Sequence, residues 1–487
     1  MSILLIVSPS SSSSSSAFLS CIKPLKTLSS FTYKPLLALK NKAISVTSPH
    51  STTSNPSQPP ELQTFWQWLC DQGVVSTKSP VRPATVPEGL GLVAQRDIGK
   101  NEVVLEIPKK FWINPDAVAA SEIGNVCSGL KPWISVALFL IREKKREDSL
   151  WRVYLDILPE STDSTVFWSE EELVELQGTQ LLSTTIDVKE YIRNEFLKLE
   201  EEILLPRKEL FPYPITFDDF LWAFGMIRSR AFSRFGGQNL VVVPLADLIN
   251  HSQTITTEGY AEIKGTGPFS RNLLFSLWSS VAVKAGEQVF IQYDLDKSNA
   301  KLALDYGFVE SKSDRNAYTL TLEIPESDPF FEDKLDIAES IGLSETTYFD
   351  IVLGRPLPPM MFPYLRLVAL GGPDAFLFDL SFRSTILGQL DSPISHANEE
   401  LICRMVRDVC RTALSGYHTT IEEDEKLEGG NLDPRLRIAI GVRAGEKRVL
   451  QQIDGIFKER ELKLNELEYY QDQRPQQQSS LRIETRA

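Results

Sequence analysis

One stretch constrains this chain more than any other: Val241-Val-Val-Pro-Leu-Ala-Asp-Leu-Ile-Asn-His-Ser252. It opens with three β-branched residues, which read as a buried strand. Pro244 ends that strand, because proline cannot donate to a ladder. Asp247, Asn250 and His251 then stand among leucine and isoleucine. Polar groups in so apolar a segment need partners once buried. They serve either a neighbouring backbone or a ligand. Taken alone, Asn-His-Ser reads as an irregular core turn, so the segments around it have to decide.

The first sixty residues hold five lysines and no Asp or Glu, in a chain of 487 residues with 65 acids. An even spread would place about eight acids there. Serine runs almost unbroken from Ser8 to Ser16. A serine-rich, basic, acid-free segment reads as an organelle transit peptide. The absence of arginine favours a chloroplast address over a mitochondrial one, and residues 1–45 are assigned to this leader. A tail with no address is the bland alternative. Without residues 1–60 the formal charge moves from −14 to −19. An acidic body does not grip nucleic acid through its phosphates. No apolar run reaches the length of a membrane span. The five cysteines are scattered with no Cys-x-x-Cys pair, so neither a disulfide framework nor a zinc site is expected.

Thr64–Gln72 reads as a short amphipathic helix. Glu88-Gly-Leu-Gly-Leu-Val-Ala94 matches Gly-x-Gly-x-x-Ala, but a dinucleotide loop follows a buried strand and opens a helix. Here prolines precede it, and strand, turn, strand follow through Pro108. The glycines instead let a backbone bend and approach a ligand within a small β-unit. From Asn114 to about Phe224 the pattern is helical, with Trp133–Ile141 buried. Ser169 with Glu172, and Thr216 with Asp219, mark helix starts. The second of these helices should run to about Phe232, carrying Arg228 and Arg230. Single arginines near a helix end are also ordinary capping. After His251 the chain reads as loop to Asn272. Strands resume at Leu274–Leu277 and Gln288–Tyr293, and Asn299–Phe308 is a helix turn with a tyrosine-glycine corner. Tyr293 and Tyr306 each end an element, and either alone reads as a core tyrosine with a bonded hydroxyl. One strand, Tyr318–Ile324, leads into helices over about 401–414 and 436–467. The end from Gln471 is polar.

Four features in this order carry a resemblance: Glu88-Gly-Leu-Gly-Leu, Arg228-Ser-Arg-Ala-Phe, Asp247-Leu-Ile-Asn-His-Ser, and Tyr293 with Asp305-Tyr-Gly-Phe308. Together they resemble the SET-domain protein methyltransferases. The helical insert and helical C-terminal region narrow the likeness to the plant Rubisco large-subunit lysine methyltransferase family. That resemblance implies an α+β SET fold of small β-sheets with a knot-like crossing, a rare exception to un-knotted topology. It also implies a helical insert and an all-α C-terminal substrate-binding domain. The domains expected are 62–315 (SET, with the insert at about 112–224), 318–470 (substrate-binding) and a tail at 471–487. S-adenosylmethionine would be the methyl donor, approached by Glu88, Gly89 and Leu90 and held by Arg230, Asn250 and His251. Arg230, Arg234, Asp247, Tyr260, Tyr293 and Tyr306 would form the acceptor side, with Tyr293 catalytic. No metal is implied. The partner would be a protein, either the Rubisco large subunit or plastid fructose-bisphosphate aldolase in the chloroplast stroma. No nucleic acid or membrane is expected, and the chain is expected to be monomeric.

The chemistry stands beside the resemblance. Methyl transfer from a sulfonium is a direct displacement, so alignment dominates. A lysine with its ordinary pKa of ~10.4 is neutral only about once in 2,000 at pH 7. Burial in a narrow channel beside a cationic sulfonium lowers that pKa. A tyrosine hydroxyl can orient the amine, whereas an unperturbed phenol is almost wholly protonated near pH 7 and makes a poor base. Three other readings remain. A nicotinamide oxidoreductase lacks the strand–loop–helix context. A hydrolase using Asp247, His251 and Ser252 fails because neighbours on one extended segment point apart and no nucleophile elbow is present. A non-catalytic SET-fold binding module would keep the fold and lose turnover.

Overall fold

The computed structural model describes residues 59–233, 240–265, 273–378 and 389–470, with the backbone of Ile22–Lys23. Apart from that pair, the leader at 1–45 lies outside the described residues, as do Arg234 and the tail at 471–487. Among the described residues no helix is long and apolar enough to cross a membrane. The chain divides into two compact units, one of 59–162 with 189–296, the other of 163–188 with 297–470.

The first unit begins with α1 (Pro60–Asp71), which buries Leu62, Phe65, Trp66 and Leu69 on one side. Pro60 sits at the first turn, where its missing N–H has no partner to lose. β1 (Val81–Val86) and β2 (Gly89–Ala94) pair antiparallel across a turn in which Gly89 takes a φ of 110°. β3 (Val103–Pro108) belongs to a second sheet. α2 (Pro132–Lys145) is buried along most of its length, as a helix apolar all round must be. α3 (Gln180–Leu199) gives its first half to the second unit and the rest to this one. α4 (Phe217–Arg230) starts at the Thr216–Asp219 capping box. Its Phe220 and Phe224 rings each lie 5.3 Å from Trp133 of α2.

The valines at 241–243 are buried, but they form no continuous strand. Val241 bridges to Phe232 and Val242 to Ile113 as single contacts. The chain then turns at Leu245, which is fully buried at a φ of 76°. A branched residue held there costs about 1–3 kcal/mol and persists only where surrounding structure over-determines it. A single 3₁₀ turn, Ala246–Leu248, delivers the chain to β4 (Asn250–His251).

β5 (Ala261–Gly265), β6 (Leu273–Trp278) and β3 form one antiparallel sheet in the order β3-β6-β5. β7 (Gln288–Ile291) lies in the other sheet, ordered β1-β2-β7-β4. Its pairing with β2 is antiparallel and its pairing with β4 parallel, Asn250 against Phe290 and His251 against Ile291.

In the second unit α5 (Asn299–Asp305) ends at Tyr306, followed by Gly307 at a φ of 80°. The Asp163–Ser164 backbone lies where a Cβ on Gly307 would stand, so only glycine fits. β8 (Ala317–Glu323) pairs antiparallel with β9 (Thr346–Val352), with α6 (Phe331–Ser340) between them in the chain. The unit is otherwise helical: α7 (Met361–Val368), α8 (His396–Ser415), α9 (Ile421–Glu428) and α10 (Pro434–Leu462). Its core joins Leu320, Leu322 and Phe349 to Ile402, Val406, Leu450 and Phe457.

Residues 163–188 belong here for identifiable reasons. Arg435 donates to Asp163 at 3.2 Å and to Glu172 at 2.8 Å. Arg443 meets Glu175 at 2.8 Å and Asp424 at 2.7 Å. The Gln180 side chain pairs with both backbone groups of Thr319 at 2.8 and 2.9 Å. The stretch at 112–224, read from the sequence as one insert, is therefore shared between two compact units.

Candidate active site

The hairpin β1–β2 presents Glu88 and Gly89 to solvent and Leu90 half-buried. Gly91 is held by what surrounds it. A Cβ there would come within 2.5 Å of Gln288 Oε1 and 2.9 Å of Asn250 Nδ2. Both amide hydrogens of Asn250 are used within the protein, one to the Leu90 carbonyl at 3.0 Å and one to Gln288 Oε1 at 2.6 Å. Gln288 Nε2 continues to the Glu88 carboxylate at 3.1 Å.

One residue on, His251 Nδ1 accepts the backbone N–H of Tyr293 at 3.3 Å. That places the proton of a neutral imidazole on Nε2. The two rings lie 5.3 Å apart, tilted by 50°. The Tyr293 hydroxyl donates to the Ile249 carbonyl at 2.8 Å. With its proton committed, the phenol oxygen remains an acceptor. The site thus draws Asn250 and His251 from β4, Ile249 from just before it, and Tyr293 from just beyond β7.

Arg230, the last residue of α4, donates through Nη1 to the Asp247 backbone carbonyl and to Asp247 Oδ2, both at 3.2 Å. Tyr154 donates to the same Oδ2 at 2.7 Å. The Asp247 side chain is wholly buried. Burial pushes its carboxyl above the ordinary range, against the pull of Arg230 and of the Tyr154 hydroxyl. Asp247 Oδ1 and Arg230 Nε are buried without a hydrogen-bond partner among the described residues.

The structure therefore ties Glu88 and the Leu90 carbonyl to Asn250 through hydrogen bonds that include Gln288, and the adjacent His251 to Tyr293, with Arg230 and Asp247 joined to each other. Asp247 faces Tyr154 and Arg230 rather than solvent. Tyr260 is buried just before β5, and its carbonyl accepts from Trp278 at 2.9 Å. Tyr306 falls in the second unit, where its ring lies 4.8 Å from the Lys297 ammonium. Gln288 and Tyr154 did not stand out in the sequence. A strand glutamine that pairs with Val93 and reaches over Gly91 is visible only once the register is known, and Tyr154 sits in a one-turn helix with no local signal.

A family profile described as Rubisco LSMT substrate-binding matches residues 325–450. The chain is 70% identical over 425 residues to the [fructose-bisphosphate aldolase]-lysine N-methyltransferase, chloroplastic, of Arabidopsis thaliana, covering 87% of this chain and 88% of that protein. It is 65% identical over 455 residues to the ribulose-1,5 bisphosphate carboxylase/oxygenase large subunit N-methyltransferase, chloroplastic, of Nicotiana tabacum, covering 93% of each. A crystal structure of the SET domain of LSMT bound to lysine and AdoHcy superposes with a TM-score of 0.83 at 65% identity, covering 86% of this chain and 96% of that one. The chain belongs to the Rubisco large-subunit methyltransferase family of SET-domain protein-lysine N-methyltransferases.

The residues present suit what that family needs. A methyl donor carrying an amino acid and an adenosine requires a close backbone approach, an anion partner and hydrogen-bond acceptors. The Glu88–Leu90 turn, the half-buried Arg230 and the exposed Glu88 carboxylate are groups of those three kinds. A guanidinium nitrogen is well suited to a carboxylate. Tyr293 offers an oxygen that can accept from an amine, at the end of a strand that fixes its position.

Proposed function

We propose that this chain transfers methyl groups from S-adenosylmethionine to a lysine of a chloroplast stromal protein, the Rubisco large subunit, plastid fructose-bisphosphate aldolase or both. The methyl donor supplies an electrophilic carbon on a sulfonium. The chain's own residues do the rest. Backbone groups of Glu88–Leu90 and Asn250–His251 hold the donor, and Arg230 meets its carboxylate. The Tyr293 oxygen accepts from the incoming lysine amine and so aims the nitrogen lone pair. Exclusion of water lowers the pKa of that lysine, and the proton leaves to solvent rather than to the phenol.

The observation that carries this reading is the committed Tyr293 hydroxyl, which donates to Ile249 at 2.8 Å beside Asn250 and His251. A phenol whose proton is engaged orients better than it deprotonates. The helical region at 325–450, which carries the substrate-binding match, docks the folded target.

The test gives the full chain S-adenosylmethionine with unmodified Rubisco large subunit or unmodified plastid aldolase, and reads intact mass. Added methyls, up to trimethyl-lysine, on either protein establish the reaction and its target together. Donor binding with no methyl on either would favour the non-catalytic module.

A further inference from the structure

The hydrogen-bond chain Glu88–Gln288–Asn250 has a direction. Gln288 Oε1 receives Asn250 at 2.6 Å, so its nitrogen is the end that faces the Glu88 carboxylate at 3.1 Å. Asn250 donates and Glu88 accepts, so only a side chain with one acceptor and one donor satisfies both. Asn250 in turn ties the Leu90 carbonyl. Neither of its two N–H groups is left for a ligand. The Asn250 side chain is thus spent on architecture, and the backbone around it is what remains for binding.

Gln288 lies next to Val289, which pairs with Leu92 of β2, and Gln288 itself faces Val93. It is therefore fixed on the strand that joins the Gly-Leu-Gly hairpin to Asn250–His251. Gly91 leaves the space that the two amides occupy. Three separate pieces of the chain meet at this one side chain.

We infer that Gln288 is a positioning residue that sets the Glu88–Leu90 loop and Asn250 at one fixed spacing, and that methyl-donor affinity depends on the charge and polarity of the Glu88–Gln288 pair. This rests on the proposed reading of the site as a methyl-donor site. Gln288 acts through Glu88 and Asn250 without touching the donor.

The pair can be exchanged to test this. Q288E still accepts from Asn250 but sets two carboxylates against each other, which raises the pKa of one of them. At pH 8 both are charged and the loop is pushed away. At pH 5.5 the pair holds a shared proton and the spacing is restored. E88Q/Q288E reverses the roles, keeps the net charge and allows the same chain of bonds. Q288M removes both bonds without adding charge.

Binding of S-adenosylhomocysteine is measured by titration calorimetry on the full chain at pH 5.5 and pH 8, with melting temperature as a fold control. That probe lacks the sulfonium charge, so it does not neutralise the carboxylate pair. The result expected is that Q288E binds about tenfold more weakly than wild type at pH 8, with the deficit closing towards pH 5.5. E88Q/Q288E, which also takes the carboxylate from the loop that approaches the donor, should bind more tightly than Q288E at pH 8 and lose the pH dependence. Q288M should be weaker by about fivefold at both, the worth of a lost hydrogen bond. Wild-type affinity in Q288E and Q288M at pH 8, or a double variant as weak as Q288E alone, overturns the inference. Failure of the wild-type chain itself to bind the probe would count against the methyl-donor reading, a separate outcome.

Discussion

Tyr154 and Arg230 converge on one oxygen of Asp247, from 2.7 and 3.2 Å. Tyr154 is fully buried, with its ring 6.0 Å from that of Phe65. The carboxylate that orients Arg230 is thus itself oriented from a separate stretch of the chain.

Tyr154→Phe keeps the ring and removes that donor. Loss of a hydrogen bond to a buried carboxylate should cost about 1–3 kcal/mol, read as a lower melting temperature. The pH profile should move as well. Burial already raises the Asp247 pKa and the phenol opposes that rise, so the variant's carboxyl stays protonated to a higher pH. The acid limb of methyl transfer should shift upward in pH. An unmoved limb would leave Tyr154 with a packing role only.

Tyr293→Phe removes the oxygen proposed to aim the amine and leaves the ring in place beside His251. Turnover should fall by about 10²-fold or more, as for loss of other reacting-group contacts. S-adenosylhomocysteine affinity should stay within about threefold. Single-turnover methyl transfer and equilibrium binding separate the two. An unchanged rate removes Tyr293 from the reaction.

Glu446 gives a pH dependence of stability. It is fully buried in α10, accepts from Tyr417 at 2.8 Å and from the Gln180 N–H at 3.0 Å, and burial lifts its pKa from 4.5 to about 7. A folded-state pKa above the unfolded one means stability is fully present below pH 4.5 and is lost as pH rises through about 7. The loss is on the order of 3 kcal/mol. Glu446→Gln should therefore gain on wild type between pH 5.5 and pH 8 in paired thermal melts. A difference in melting temperature that does not change with pH would show that Glu446 does not titrate in this range.

Both helix starts read from Ser169 and Thr216 are capping boxes in the structure, because the signal is local. The strand before Gly89, Val81–Val86, was not legible, because Pro83 and Pro87 argue against a strand there, yet it pairs with Gly89–Ala94 as a hairpin. The sequence over 261–265 reads as loop, and the structure makes it β5. It is a half-exposed strand in which Lys264 pairs with Glu106, and charge on a strand hides its alternation. β9 was not marked, although Thr347, Phe349 and Ile351 point inward and Tyr348 and Asp350 outward. The opposite error fell on Val241–Val243, where a good strand sequence makes only isolated bridges because Pro244 and Leu245 turn the chain away. Gln288 and Tyr154 could not be read at all. Their partners lie 200 and 93 residues away in sequence, and nothing local reports a contact of that range.

The same long separations bear on how the protein acquires its site. Gln288 and Glu88 are 200 residues apart, and Asn250 and the Leu90 carbonyl 160. Loops of that length must close before either bond forms, and folds dominated by such contacts form slowly. A growing chain therefore has no donor site until its synthesis has passed β7. A ligand that binds only the finished arrangement stabilises it by mass action. Cellular levels of the methyl donor would then influence how much of this protein survives its own folding, as well as how fast it works.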